Sequence, residues 1–201
     1  MNWYVLRVKI NDVNKDNEPS FKTLNREQKT SEERVLEALK KRLNLDVYTP
    51  FIPKKAYPHT KGGKLISIEY KTCFPGYVFI ETEKDAEFVI KDTSLAISGI
   101  GLAQFFIYYN TAEDDVFRRE YAMRESEKSL LVRYMNDDFI IERSEGFIEG
   151  DKVQIADGPF VGHEGVIKRL NKRRMIAVID ASFFGGKVDL TVMLEVIEKI
   201  Q

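Results

Sequence analysis

The sequence predicts an α+β fold: an N-terminal part built as an antiparallel sheet with flanking helices, followed by a small C-terminal β-barrel. Three observations carry this expectation. Runs rich in β-formers, at residues 3–10 and 77–81, flank a segment whose apolar residues recur at helical spacing. Beyond residues 137–146 the segments become short, β-like and punctuated by glycine. The hydrophobic share of 43% is enough for a packed core in a chain of 201 residues, a length that fits one large domain or two small ones. The expected division is 1–136, a linker at 137–146, and 147–201. A unit of about 55 residues is large enough for a small closed barrel to fold alone.

Trp3 to Ile10 reads as a buried strand. Residues 11–30 turn polar and read as a long loop or insertion. Thr30 and Glu33 then match a capping box, in which a hydroxyl and a carboxylate three apart satisfy two free N–H groups at a helix start. Val35, Leu36, Leu39 and Leu43 continue at helical spacing, and Asn44 suits a stop. Residues 46–57 carry two prolines and suit an edge strand. "KGGK" at 61–64 signals a hairpin. Glu83 to Lys91 reads as a short helix packing Phe88 and Val89. The stretch from Thr93 to Ala112 has no charge and is about the length of a membrane span. Ser94, Ser98, Gly99, Gly101 and Gln104 interrupt it, so a buried strand near Phe105–Tyr109 with its approach loop is expected instead. Residues 113–138 read as one or two helices with an apolar stripe of Leu130, Leu131, Tyr134 and Met135. In the C-terminal part, Val153 and Ile155 alternate with polar residues, as do Val188, Leu190 and Val192.

Composition narrows the function classes. Lys+Arg total 31 against 32 Asp+Glu, so the net charge of −1 argues against a general polycation but not against a local basic face. The single Cys73 excludes an intrachain disulfide and any CxxC signature, and suits a reducing, cytoplasmic setting. No export signal is visible in "MNWYVLRVKI". His59 and His163 lie in different expected domains, and the chain has no P-loop, G-x-S-x-G or H-E-x-x-H motif. A non-enzyme with no metal and no cofactor is expected.

Two stretches stand out. In "CFPGYVFIE" (73–81), Pro75 and Gly76 occupy the central positions of a type II turn, where proline presets φ and glycine tolerates a positive φ. The strand it launches alternates faces, Val78 and Ile80 one way, Tyr77, Phe79 and Glu81 the other. With Val78 and Ile80 on the 31–43 helix, the Tyr77–Phe79 face is either covered internally or used by a partner. In "KRLNKRR" (168–174), Lys168, Arg169, Lys172, Arg173 and Arg174 include no acid. They fall between expected strands Val166–Leu170 and Met175–Ile179, so Asn171 to Arg174 should form an exposed hairpin loop. Lys168 and Arg169 are expected on alternate strand faces. The cluster is either a solvated turn or an anion site.

Taken together, "WYVLRVK" at 3–9, the helix after it, "FPGYVFIE" at 74–81, "GDKVQIADGPFVGHEGVIKRL" at 150–170 and "FFGGKVDLTVMLEVIE" at 183–198 resemble the NusG family of transcription elongation factors. The resemblance implies an NGN domain followed by an SH3-like KOW barrel. It implies that the NGN domain binds the clamp helices of the large RNA polymerase subunit through an apolar cleft. Tyr77 and Phe79 fall on the family motif for that contact, with Phe74, Tyr4 and Trp3 as further candidates. Phe160 falls on the barrel loop that general factors use to bind Rho or ribosomal protein S10. The polar insertion at 11–30 and "DDFIIERSEGFIEGDKV" before the barrel resemble the LoaP branch, which implies antitermination and a barrel that binds a leader RNA hairpin through Lys168, Arg169, Asn171, Lys172, Arg173 and Arg174. A monomer without membrane contact is the corresponding expectation. The alternative is a general elongation factor whose barrel binds Rho or S10.

Overall fold

The computed structural model describes residues 1–9, 29–100, 103–111, 117–149, 152–184 and 186–197. Most of the polar insertion expected at 11–30 lies outside the described residues. In chain order the N-terminal elements are β1 (Asn2–Val8), α1 (Ser31–Arg42), β2 (Thr49–Phe51), β3 (Lys54–Lys61), β4 (Lys64–Thr72), β5 (Tyr77–Thr82), α2 (Ala86–Ala96) and β6 (Ala103–Phe105). They are followed by β7 (Tyr108–Thr111), β8 (Phe117–Glu120), α3 (Glu125–Tyr134), β9 (Ile140–Ile141), β10 (Ser144–Glu149), β11 (Lys152–Asp157), β12 (Ile167–Asn171), β13 (Ile176–Phe183) and β14 (Gly186–Val196). The result is a mixed α and β chain, compatible with the expected α+β class.

The chain forms two compact units, and each draws on two stretches of sequence. One contains Met1–Ile52 and Pro75–Ala122; the other contains Pro53–Phe74 and Met123–Gln201. These units interleave in sequence, whereas the expected plan of 1–136 and 147–201 is linear. Residues 137–146, expected as a linker, contain β9 and begin β10.

In the first unit, four strands form a sheet of order β2-β5-β1-β6. The β1–β5 ladder is antiparallel and runs from Asn2↔Thr82 to Arg7↔Tyr77. Helix α1 starts as its sequence dictates: the Thr30 hydroxyl accepts from the Glu33 N–H, and the Glu33 carboxylate accepts from the Thr30 N–H. Its Val35, Leu39 and Leu43 pack in one core with Val78 and Ile80 of β5 and Tyr4, Leu6 and Val8 of β1. Gly76 has φ +85°, the value a type II turn requires at that position. Its N–H donates to the buried Glu32 carboxylate at 2.6 Å, and its carbonyl accepts from Val8 at 2.7 Å, so both α1 and β1 hold the turn. Helix α2 starts and ends later than expected, and it leaves Phe88 exposed while burying Val89. The uncharged stretch after Thr93 is thus the end of a helix and then short strands. Among the described residues no helix is long and apolar enough to cross a membrane. Residues 117–120, expected as helix, form β8, paired with β7 in an antiparallel ribbon.

The second unit holds the β3–β4 hairpin, whose turn residues Gly62 and Gly63 both have positive φ, as a two-residue type I′ turn demands. β9 pairs in parallel with β3 at Lys54 and Lys55. Strands β10 to β14 form a five-stranded sheet of order β11-β10-β14-β13-β12, with β10 and β14 parallel. Ile179, Phe183, Leu190, Val192 and Leu194 are buried there. Helix α3 is buried along Glu127, Leu131 and Tyr134.

Candidate functional site

The aromatic face of β5 is occupied. Phe79 is 0% exposed. Its ring stacks on Phe51 at 5.4 Å and meets Trp3 edge-on at 6.3 Å, while Trp3 and Phe51 pack at 5.1 Å. The Trp3 indole N–H donates to Glu81 at 3.0 Å. This trio is core, and it places Phe79 and Trp3 where no partner reaches them in this conformation. Tyr4 points to the helix side of the sheet and is buried, with its hydroxyl donating to the Lys84 carbonyl at 3.0 Å. Burial pushes its pKa up. Phe74 is buried too, packed edge-on against Phe183 and Phe184 within the second unit. Tyr77 alone among these candidates keeps part of its surface, next to the half-buried Phe106 at 6.4 Å. Phe51 was not legible as a partner of Phe79; its position after Pro50 on a three-residue strand gave no periodicity to read.

Phe160 is also enclosed. It is 2% exposed and lies 4.5 Å from the Tyr134 ring of α3, which also meets His163 edge-on. As the structure stands, the Phe160 ring is not offered to a protein partner.

The basic stretch divides in two. Residues Lys172–Arg174 form a one-turn 3-10 helix between β12 and β13. The Asn171 side chain caps it, accepting from the Arg174 N–H at 3.0 Å. Met175 closes it in the left-handed region at φ 53°, and the Met175 carbonyl accepts from Leu194 of β14 at 3.0 Å. All three cations are exposed, and none has a carboxylate partner among the described residues. Lys168 and Arg169 behave differently. Both bond to Asp189, at 2.9 and 3.0 Å. The expected alternation of faces fails because the β12–β13 register shifts between Ile167 and Arg169, a bulge that turns both side chains to one carboxylate. The hydrogen bond from Lys168 holds the Asp189 carboxyl below its usual range, and Asp189 in turn raises the Lys168 pKa. Asp189 sits two strands away from them, on β14, so no local spacing announces it.

Burial pushes the Cys73 thiol up to about 12, which keeps it protonated. A shallow cavity of about 270 Å³ in the first unit is lined by Arg42, Tyr48 and Asp92 among others. Its polar groups satisfy one another: Tyr48 donates to Asp92 at 2.5 Å, and Arg42 donates to the Ala96 and Ser98 carbonyls. Among the described residues no group of three or more His, Cys, Asp or Glu is placed to hold a metal.

Residues 24–106 match the family model described as NusG, transcription termination factor nusG. The match covers less than half of the chain and includes α1, the β3–β4 hairpin, the Pro75-Gly76 turn, β5 and α2. It supports a NusG-type factor acting in transcription elongation or termination. Phe160 and the basic turn lie outside the matched residues. No curated protein matches the chain.

Proposed function

We propose that the chain is a transcription elongation and antitermination factor of the LoaP kind. In this reading residues 1–136 act as the NGN part and bind the clamp helices of the large RNA polymerase subunit. Residues 147–201 act as the KOW part and bind a leader RNA hairpin. The observation that carries the reading is an exposed, preformed basic turn at Lys172–Arg174 in a chain whose residues 24–106 match a NusG model. A turn already fixed by the Asn171 cap loses little further freedom on binding. Arginine forks and a lysine suit the phosphates of an A-form stem. The cover of Tyr134 over Phe160 favours RNA over Rho or S10, because a protein reading that ring must first displace Tyr134. The factor acts as a cytoplasmic monomer, without a cofactor. By binding the elongating state of polymerase more tightly than the paused state it shifts the balance between them, and no bond is made or broken.

The test immobilises the full chain and measures its affinity for core RNA polymerase. Tyr77→Ala should weaken binding about tenfold, the range of a good interface anchor, with melting close to wild type. Wild-type affinity in the folded variant would overturn the placing of the contact. Failure of the unmodified chain to hold polymerase would overturn the reading itself. Capture of S10 or Rho in preference to an RNA stem-loop would return the chain to the general factors.

A further inference from the structure

The Lys172–Arg174 turn has a neighbour from far earlier in the chain. Within the same compact unit, β3 of the β3–β4 hairpin runs beside it. A Cβ placed on Gly63 would come within 3.8 Å of Arg173 Cγ, so the aliphatic stem of Arg173 lies against the bare glycine backbone of the hairpin tip. Lys61 and Lys64 flank the two glycines and face each other as the last pair of the ladder. The tip thus brings two more cations to the turn. Lys61, Lys64, Lys172, Arg173 and Arg174 are all exposed, and none is in an ion pair among the described residues.

Like charges opposite one another on paired strands are destabilising, and a second cationic element alongside adds to the repulsion. Several other cations of this unit have counter-charges: Glu69 for Lys71, Asp189 for Lys168 and Arg169, Glu145 and Glu195 for Arg143. At the junction of tip and turn there is none among the described residues. Both elements are rigid by construction, the tip through its type I′ glycines and the turn through Asn171 and Met175. No aromatic ring stands among residues 60–65 or 171–175. Unpaired bases are read by stacking on rings, so the surface lacks what a single strand needs and has what a duplex backbone needs.

We infer that the hairpin tip and the 3-10 turn form one phosphate-binding surface, composed of Lys61, Lys64, Lys172, Arg173 and Arg174, that grips the backbone of an RNA stem. The inference rests on the RNA reading of the turn and extends its site to the β3–β4 hairpin. The C-terminal strands alone then carry only part of the site.

The test uses the full chain and a short labelled RNA stem-loop, titrated at several salt concentrations. Three double variants are compared: Lys61→Ala with Lys64→Ala, Arg173→Ala with Arg174→Ala, and Lys40→Ala with Lys41→Ala. The last pair is exposed on α1, in the other unit, and changes the net charge equally. The tip variant should bind about five- to tenfold more weakly, with a log–log salt slope shallower by roughly one unit per lost phosphate contact. The turn variant should behave alike, the α1 variant should match wild type in binding, and the tip and turn variants should melt at or slightly above wild type, since each removes like-charge repulsion. A tip variant equal to wild type beside a weakened turn variant overturns the joint surface and leaves the RNA reading of the turn standing. Tip and turn variants both equal to wild type overturn that reading and the inference with it. An α1 variant as weak as the tip variant reduces the effect to overall charge and overturns the inference. A DNA duplex of the same sequence bound as tightly, or polyglutamate competing as well as RNA, overturns the assignment to an RNA stem.

Discussion

Phe74–Glu81 and Lys168–Arg174 are both stretches whose side chains are poorly left alone, rings in the first and cations in the second. The fold treats them oppositely. A ring can be absorbed by other rings, and Phe79 disappears between Trp3 and Phe51. A cation needs a counter-charge, carbonyl oxygens or a ring face, and Asp189 serves Lys168 and Arg169 alone. The turn beyond them stays outside, fixed in shape and uncompensated. An apolar motif therefore reports on the core as readily as on a partner, whereas a rigid cluster of cations without acids points outward.

The comparison breaks most visibly at Phe79. Phe79→Ala should destabilise the chain by roughly 3–5 kcal/mol, the range for a buried phenylalanine, read by thermal or urea unfolding. A melting point near wild type would mean that the ring is on the surface and would restore it as a partner contact. Gly76→Val comes next. A β-branched residue at φ +85° is strained by roughly 1–3 kcal/mol, and the shift in urea midpoint measures it; stability equal to wild type would show that the turn is not type II. The smallest structural effect belongs to the basic stretch. Asp189→Asn should leave melting unchanged, because the ion pairs are exposed, yet strengthen RNA binding several-fold by releasing Lys168 and Arg169. Acid should imitate it. The Asp189 carboxyl is held below its usual range, so its pairs are fully formed above the unfolded carboxylate value and are lost as pH falls through the lower native value. Unchanged RNA affinity in Asp189→Asn would mean that Lys168 and Arg169 do not face the ligand.

What the sequence made legible is local. The capping box at Thr30 and Glu33, the helical face of Val35, Leu39 and Leu43, the glycine hairpin and the positive φ of Gly76 each depend on residues within a few positions. What it hid depends on distant neighbours. Helix α2 runs through Thr93 to Ala96 because Thr93 and Ala96 are buried, although serine and threonine alone suggest a loop. The strand Phe117–Glu120 exists because β7 pairs with it, amid charges that suggest a surface helix. The bulge at Lys168, the cover of Phe160 by Tyr134 and the approach of the 61–64 tip to Arg173 leave no trace in spacing. The outward turn itself was visible, since Asn171 to Arg174 is short, basic and lies between two strands.

The interleaving of the two units sets an order of events on the ribosome. The four strands of the first sheet all lie within residues 2–105, so that sheet can close while the rest of the chain is still being translated. The β3–β4 hairpin is made in the middle of that stretch, but its lasting neighbours β9 and β14 come only with residues 140–196. A lone two-stranded hairpin is marginal in water. Ala56 and Pro58, buried in the finished protein, therefore wait uncovered through much of synthesis. The pause between making that hairpin and docking it is when the nascent chain is most open to mispairing, and slow translation after Ala122 would lengthen it.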